Sequence, residues 1–548
     1  MVKKILFLSI MALSVNTFSQ RVYSLVPGIT VDSIIKTQYN ATKIARDPVS
    51  GNLFYSSLSG NIYEVFIPTA GSATDSLRFT SAQHGITFLQ GLYFRDSVLY
   101  LCGNQWSSTT GIGKVVKGTL LPNNTRAWVN IATSDPYPVT NSNGGHGFAG
   151  INIDPSGTYI YVSSGARTYL GEIQTNGGAW PGAREVPMTT RIFRFPIDTT
   201  GVVLPNDSAL LDSSGFVFAW GTRNAYDMAW DGNGNLFGVD NSGERDDPEE
   251  LNWLRQGKNY GFPWRMGGNN NPLMNSPYNV NNDPLVNPLS GGYQAGWFAD
   301  DPAFPQIPNG VTFTDAILNY GPDADFYRDS VTGNVKNASD QGIFINSFTA
   351  HRSPLGLVID KDSSLEATFR GDAFVLSFMP GGDSAGYTPL SPWGGPGPFV
   401  DTVRDLLHLK LSYNATLDNY TMTATKIMFG FYLPVDAELV KDTLYVIENG
   451  GNIWRIIFPP YNGIQESENT LSFSLYPNPT NKIINVELKM LNDDAEIKIT
   501  GVLGNTVKRI NTKTKETSID VSDLTNGIYF LQVKTSEGIA NQKIILNK

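Results

Sequence analysis

Apolar and polar residues alternate over short runs along much of this chain, and the runs come in pairs. "KIARDPVSGNLFYSSLSGNIYEVFI" from Lys43 reads as a strand, a turn of Asp, Pro, Ser and Gly, and further strand. The layout recurs in "LQGLYFRDSVLYLCG" from Leu89, "GINIDPSGTYIYVSSGA" from Gly150 and "DMAWDGNGNLFGVDNSG" from Asp227. It returns in "PLGLVIDKDSSLEATFRGDAFVLSF" from Pro354 and "PVDAELVKDTLYVIENGGNIWRIIF" from Pro434. A period of two sets one face of each strand toward a core, and the turn residues close the hairpin. One hairpin repeated along a chain, with long polar inserts between copies, is the pattern of a β-propeller. Six copies predict six blades. A β-sandwich is the alternative, but it rarely repeats a single hairpin so uniformly.

Two stretches interrupt the pattern. Residues 264–347 are rich in Asn, Pro and Gly ("MGGNNNPLMNSPYNVNNDPLVNP") and read as a long insertion on one face, part of it supplying outer strands. "GEIQTNGGAWPGAREVPMTTRIFRF" is a second insert, leading into a strand from Arg191 to Phe195. Inserts of this length in a compact domain are more often functional than accidental. After about Tyr461 the composition shifts. All ten Trp lie between Trp106 and Trp454, and the tail reads as period-two strands with turns, a small β-sandwich. The start, "MVKKILFLSIMALSVNTFSQ", has two lysines, an apolar run and small residues before Gln20, the layout of a secretory signal. The predicted division is a signal peptide over 1–19, a propeller over 20–462 and a sandwich over 463–548.

Composition narrows the function. A net charge of −10 argues against nucleic acid, which needs clustered Lys and Arg. No stretch after the signal approaches the length of a membrane span. Cys102 is the only cysteine, so no disulfide forms within the chain, and it sits in a strand pattern as a small buried apolar residue. There is no CxxCH for covalent haem.

In a propeller the innermost strands run toward one channel mouth, so residues just ahead of them converge. The candidates are Gln90, His146, Arg223 with Asn224, His351 with Arg352, and the stretch before Pro434. A His, an Arg and an amide in one pocket suit an anionic ligand beside a general base. After the fourth copy comes an acidic run, Glu244, Asp246, Asp247, Glu249 and Glu250, with the density and hardness Ca²⁺ prefers. The plain alternative is a solvated acidic loop. The spacing is not that of an EF-hand.

The residues carry two resemblances. "GTRNAYDMAWDGNGNLFGVDNSG…DPEELNWLRQGKNYGFPW" resembles the central signature of the glucose/sorbosone dehydrogenase family. "HGFAGINIDPSGTYIYVSSG", "HRSPLGLVID…FRGDAFVLSF" and "PVDAELVKDTLYVIENGGNIWRI" follow in the family's order across most of 43–458. The resemblance implies a six-bladed propeller that holds pyrroloquinoline quinone (PQQ) through Ca²⁺ and oxidises an aldose or related sugar aldehyde. It implies His146 as the general base on the C1 hydroxyl, Arg223 and Asn224 as PQQ contacts, and Gln90 beside the active site. It implies carbonyls around Gly243 and Glu244 on the PQQ-bound Ca²⁺, and Glu250 and Tyr260 at a structural Ca²⁺. An external electron acceptor follows from the same chemistry. The tail, with "YPNP" at Tyr476–Pro479, "LTNGIYFLQV" at Leu524–Val533 and the closing "QKIILNK", resembles the C-terminal sorting domain of the type IX secretion system of Bacteroidetes. That implies the type IX machinery as partner and a secreted or surface location. A carbohydrate-binding sandwich is the weaker alternative, since the tail has no Trp and two Tyr.

The chain also departs from the family. Ala225-Tyr226-Asp227 follows the Arg-Asn pair where Pro-Gln-Gly is common, and Gly150 stands where an Arg is usual. "LSFMPGGDSAGY" and "GFYLPVD" lack the bases the later blades supply, and Arg352 and Lys426 are the cations that could substitute for them. Charged hydrogen bonds contribute about 1.5–3 kcal/mol each, so several missing cations weaken a trianion site. Three readings follow: a PQQ- and Ca²⁺-dependent dehydrogenase, a non-catalytic propeller binding glycans or proteins, and a lactonase-type hydrolase using His146 with the acidic loop.

Overall fold

A computed structural model of the chain describes residues 22–38, 40–140, 145–379, 404–460, 473–488, 494–501, 505–535 and 538–548. The segment expected to be a signal peptide, and most of "MPGGDSAGY", lie outside the described residues. The chain forms two compact units, 1–461 and 462–548.

The first unit is a six-bladed β-propeller, and the six repeated hairpins are its innermost strand pairs. Blade 1 is the antiparallel sheet Ala41–Arg46, Leu53–Ser57, Ile62–Phe66 and Thr74–Phe79. Blade 2 is Phe88–Arg95, Val98–Trp106, Thr110–Leu120 and Arg126–Ser134, extended by Val202–Leu204 from the next insert. Blade 3 is Phe148–Ile153, Tyr159–Ser164, Arg191–Pro196 and Val217–Trp220. Blade 4 has three strands, Ala225–Trp230, Leu236–Asp240 and Glu250–Leu254. Blade 5 is Pro354–Ile359, Ala373–Ser377, Asp405–Asn414 and Asn419–Phe429. Blade 6 is Pro434–Val440, Thr443–Glu448 and Asn452–Ile457. The six innermost strands pack side by side in order, and that of blade 6 returns to that of blade 1. The ring is closed.

Two strands come from elsewhere in the chain. Thr30–Lys36 pairs antiparallel with Asn452–Ile457, so blade 6 is completed from the N-terminal side. Leu318–Pro322, from the long insertion, adds in parallel to the outer strand of blade 5.

The cores lie between neighbouring blades. Tyr100, Cys102 and Val115 of blade 2 pack against Phe148, Ile151, Phe193 and Phe195 of blade 3. Phe237 and Val239 of blade 4 meet Leu357, Val375 and Leu407 of blade 5. Each fully buried side chain of this size contributes about 1.5–3 kcal/mol. Cys102 belongs to this packing, its thiol donating to the Ala149 carbonyl at 3.4 Å, and burial pushes its pKa up.

Every innermost strand carries a register shift near its start, around Thr42, Gln90, Ala149–Gly150, Tyr226, Leu355–Gly356 and Val435. Such bulges bend a strand and re-aim its side chains. One position past three of these shifts, Lys43 places its ammonium 2.9 Å from Asp227 and 3.2 Å from Asp436, tying blades 1, 4 and 6 across the channel. Burial works against the Lys43 charge, but the two carboxylates outweigh it and hold its pKa raised.

The second unit is a β-sandwich. A three-stranded sheet, Phe473–Tyr476, Ile483–Leu488 and Glu516–Asp520, faces a four-stranded one, Thr506–Thr512, Ala495–Gly501, Gly527–Thr535 and Gly538–Leu546. Ile484, Val486, Ile497, Ile499, Leu531, Val533 and Ile544 fill its core.

Candidate functional site

The loops ahead of the innermost strands of blades 3, 4 and 5 form one side of a channel mouth. His146 stands two residues before Phe148–Ile153 and is laced in by backbone. Its amide donates to the Ala166 carbonyl at 2.8 Å, and the Ala166 amide donates to the Arg223 carbonyl at 2.6 Å. Gly165 makes this approach feasible: a Cβ there would lie 2.5 Å from the His146 Cβ and 2.8 Å from Asn224 Oδ1. Any side chain at 165 would drive the two apart. Burial, reinforced by the Arg223 charge, pushes the His146 pKa down to about 3, so the ring is neutral over the physiological range.

Arg223 and Asn224 are fixed by Asp240, which accepts both their backbone amides, that of Arg223 at 2.8 Å. Burial raises Asp240 to about 6 despite those two donors. The Arg223 guanidinium reaches Tyr169 O at 3.0 Å, Asn241 O at 3.0 Å and Ser242 O at 2.7 Å. It therefore staples blade 3 to the loop that carries Gly243. Asn224 Nδ2 donates to Asn241 Oδ1 at 2.9 Å, and Asn241 Nδ2 to Pro354 O at 2.9 Å, a relay into blade 5.

The acidic run is not a solvated loop, since Asp246, Asp247, Glu249 and Glu250 are all buried. Their carboxylates fan out. Glu244 accepts the Gly292 amide at the start of the short helix Gly291–Gln294. Asp246 takes Arg328 at 2.7 Å and His351 Nε2 at 2.8 Å. Asp247 pairs with Arg245, which also holds Asp283 at 2.9 Å. Glu250 accepts Asn252 at 2.9 Å and the Gly267 amide at 2.8 Å. Burial first, and the neighbouring Asp240 second, raise it to about 8. Glu249 is likewise raised to about 8, by burial against the opposing charges of His351, Arg352 and Arg223. Its Oε2 is buried with no hydrogen-bond partner among the described residues.

Glu250 and Tyr260 do not share a site through their side chains. The Tyr260 hydroxyl donates to Trp253 O at 2.6 Å and accepts the Arg255 amide at 2.7 Å, toward the far end of the strand that Glu250 begins. Among the described residues no three His, Cys, Asp or Glu side chains gather as a metal site.

Blade 5 contributes His351 and Arg352. Burial alone would lower the His351 ring, but the hydrogen bond and charge of Asp246 outweigh it and raise its pKa. Arg352 is fully buried, with Nε and Nη2 on Ser377 Oγ at 3.1 and 2.9 Å and an ion pair to Asp405. Lys426 approaches the same Asp405 at 3.5 Å. The two cations that sequence offered as replacements thus meet one buried carboxylate. His351 and Ser353, on either side of Arg352, adopt positive φ of 63° and 47°, costly for non-glycine residues and concentrated at functional sites. Gln90, half-buried, sits in the bulge of blade 2.

The structure therefore brings His146, Arg223, Asn224, Glu249, His351 and Arg352 into one electrostatically linked wall. Glu249 and Asp405 were not singled out as wall residues by sequence. Glu249 was read only as one member of an acidic run, and nothing around Asp405 marks it as the partner of Arg352.

Residues 88–291 match the family described as Glucose / Sorbosone dehydrogenase, and 474–547 match Secretion system C-terminal sorting domain. The chain thus joins a dehydrogenase-type propeller to a sorting tail. Its first unit carries a glucose/sorbosone dehydrogenase domain, and the tail indicates type IX export to the cell surface or the medium. No curated protein matches the chain. Among solved structures, the PQQ domain of a pyranose dehydrogenase from Coprinopsis cinerea aligns at 13% identity and TM-score 0.47, covering 80% of this chain and 97% of its own. The calcium structure of a Trichoderma reesei family AA12 carbohydrate-active enzyme aligns at 14% and 0.45, covering 79% and 96%. The soluble aldose sugar dehydrogenase of Escherichia coli aligns at 13% and 0.45, covering 78% and 99%. These likenesses are loose, and the propeller rests on its closed ring of strands. Among the described residues no helix is long and apolar enough to cross a membrane.

Proposed function

We propose that the chain is an exported PQQ- and Ca²⁺-dependent dehydrogenase that oxidises an aldose or related sugar aldehyde at C1 and passes electrons to an external acceptor. One observation carries the reading: a neutral, half-buried imidazole at His146 is laced to Arg223 and Asn224 inside a segment that matches the dehydrogenase family. The missing side chain at Gly165 lets His146 and Asn224 stand side by side, which supports reading the two as one wall of the site. PQQ, when bound, supplies a two-electron acceptor for the hydride leaving C1. His146 accepts the C1 hydroxyl proton at a ring nitrogen, which its neutrality leaves free to do. Arg223 and Asn224 are the residues that would hold PQQ. Carbonyls around Gly243 and Glu244, with Glu249 beside them, are the oxygens suited to Ca²⁺. Glu250 with Tyr260 as a structural Ca²⁺ pair would have to use main-chain oxygens, since their side chains diverge.

A second reading, a propeller that binds glycans or proteins without catalysis, is favoured by the engagement of Arg223 on three carbonyls and Arg352 on Asp405. Reconstitution decides between them. Saturating PQQ and Ca²⁺ should confer dye-linked oxidation of aldoses, and His146→Gln should lower turnover by about 10²–10⁴-fold. Neither bound chromophore nor activity across a sugar panel would leave the binding propeller.

A further inference from the structure

The tail sandwich presents two unlike outer faces. Along Gly527–Thr535 the side chains alternate, with Leu531 and Val533 in the core and Ile528, Phe530, Gln532 and Lys534 pointing away from it. Register fixes their neighbours. Ile528 stands opposite Ile545 and Phe530 opposite Lys543, while Thr500 and Lys498 stand opposite Phe530 and Gln532 on the other side. Ile528, Phe530 and Ile545 therefore make one apolar patch across two strands, with Ile528 46% and Phe530 44% exposed. Lys543 and Lys498 flank it. Glu496 on the same face is taken by Arg509 at 2.9 Å, and the tail's other ion pairs use Lys508 and Lys513. Among the described residues Lys498 and Lys543 are left without a carboxylate.

The outer face of the three-stranded sheet has the opposite character. Glu487 stands opposite Glu516 there, and the single aliphatic Ile483 stands opposite Asp520. Tyr476 is tied through its hydroxyl to Glu516 at 2.9 Å. Outward side chains add nothing to the core of a sandwich, so packing does not explain this asymmetry. A contiguous apolar patch left in water marks an interaction surface, and charges of one sign beside it select a partner of the other sign. The class of partner follows from the match of 474–547 to a secretion sorting domain: the export machinery has to contact this unit. The patch is also flat, set in the middle of a sheet rather than on a protruding loop. That shape suits a protein groove better than insertion into lipid.

We propose that the outer face of the four-stranded sheet, with Phe530, Ile528 and Ile545 between Lys498 and Lys543, docks the tail on a protein of the type IX export machinery whose groove is apolar and edged by carboxylates. Export of the full chain from a Bacteroidetes host with a type IX system tests it, reading the exported fraction against that retained in cells. Phe530→Ser, and Lys498→Glu combined with Lys543→Glu, should each lower the exported fraction roughly tenfold or more. All three positions face outward, so the tail should stay folded, which melting of the purified chains checks. Should Phe530→Ser not fold, the lysine pair decides alone. Ile483→Ser combined with Glu487→Lys alters the opposite sheet at a position of equal exposure, 44%, and should be exported as the wild type is. Wild-type export of the folded Phe530 or lysine variants overturns the surface, as does an equal defect from the Ile483 and Glu487 changes. Normal export of those variants with loss of binding to anionic phospholipid vesicles overturns it too, and makes the face a membrane contact. Deleting 462–548 is the separate arm. Export without the tail would remove the sorting role itself, whereas export stopped by the deletion but not by the face variants would remove the docking face alone.

Discussion

At the scale of the residue, His146 shows how burial trades strength for availability. A free imidazole titrates near 6.5, about as strong a base as neutral pH allows. Burial beside Arg223 brings the folded value down to about 3, so the ring accepts protons less avidly but is never already protonated at working pH. Turnover should therefore lack an acid limb near 6.5. Stability responds with a definite sign. Because the folded pKa lies below the unfolded one, the unfolded chain binds the extra proton between about 6.5 and 3, and acidification through that window favours unfolding. His146→Gln removes the term. Comparing melting at pH 8 and pH 4.5, the Gln variant should lose less on acidification, by on the order of 1–3 kcal/mol. Equal losses in the two proteins would mean that the ring is solvated and distant from Arg223. Sequence could nominate His146 by its place ahead of a strand. It could not reveal the Ala166 bridge or Gly165, because both are tertiary contacts between loops.

At the scale of the element, the hairpins were legible and their partners were not. Period-two alternation with Asp-Pro and Gly-Asn turns marks each innermost pair, since hairpin pairing is local. The strand Thr30–Lys36 is different: its partner lies at the other end of the propeller, with Arg455 reaching Asp32 across 423 positions. Nothing local encodes that pairing. The same holds for Leu318–Pro322, placed by sequence only as part of an insertion that supplies outer strands, and for Asp246 of the acidic run, whose partners Arg328 and His351 come from distant segments. Burial rather than charge should hold the closing strand. Val31 packs against the core between blades 5 and 6, and Ile34 and Ile35 against that of blades 1 and 6. The Arg455–Asp32 pair is exposed, a class of contact that contributes about 0.2–1 kcal/mol. Deleting residues 22–36 should lower the melting temperature by roughly 10 °C or more, whereas Arg455→Ala should shift it by no more than a few degrees. A small effect of the deletion would show that the ring holds without its N-terminal strand.

At the scale of the whole molecule, the chain is divided into two units, each with a core of its own. The propeller's clusters run between blades around a closed ring, and the tail's core is filled from its own two sheets. A unit with its own core can fold by itself, as a sorting signal discarded after export would have to. The channel-mouth wall of His146, Arg223 and Asn224 lies wholly within the first unit, so the proposed chemistry does not need the tail. From this follows a joint expectation for exported material. Mass measurement of protein from the culture medium should show a start near Gln20 and loss of the chain from about residue 463, or a surface anchor in its place. That shortened protein should bind sugar and PQQ as the full chain does. Exported protein ending at Lys548 would contradict the role given to the tail, while loss of sugar binding on trimming would place part of the site outside the propeller.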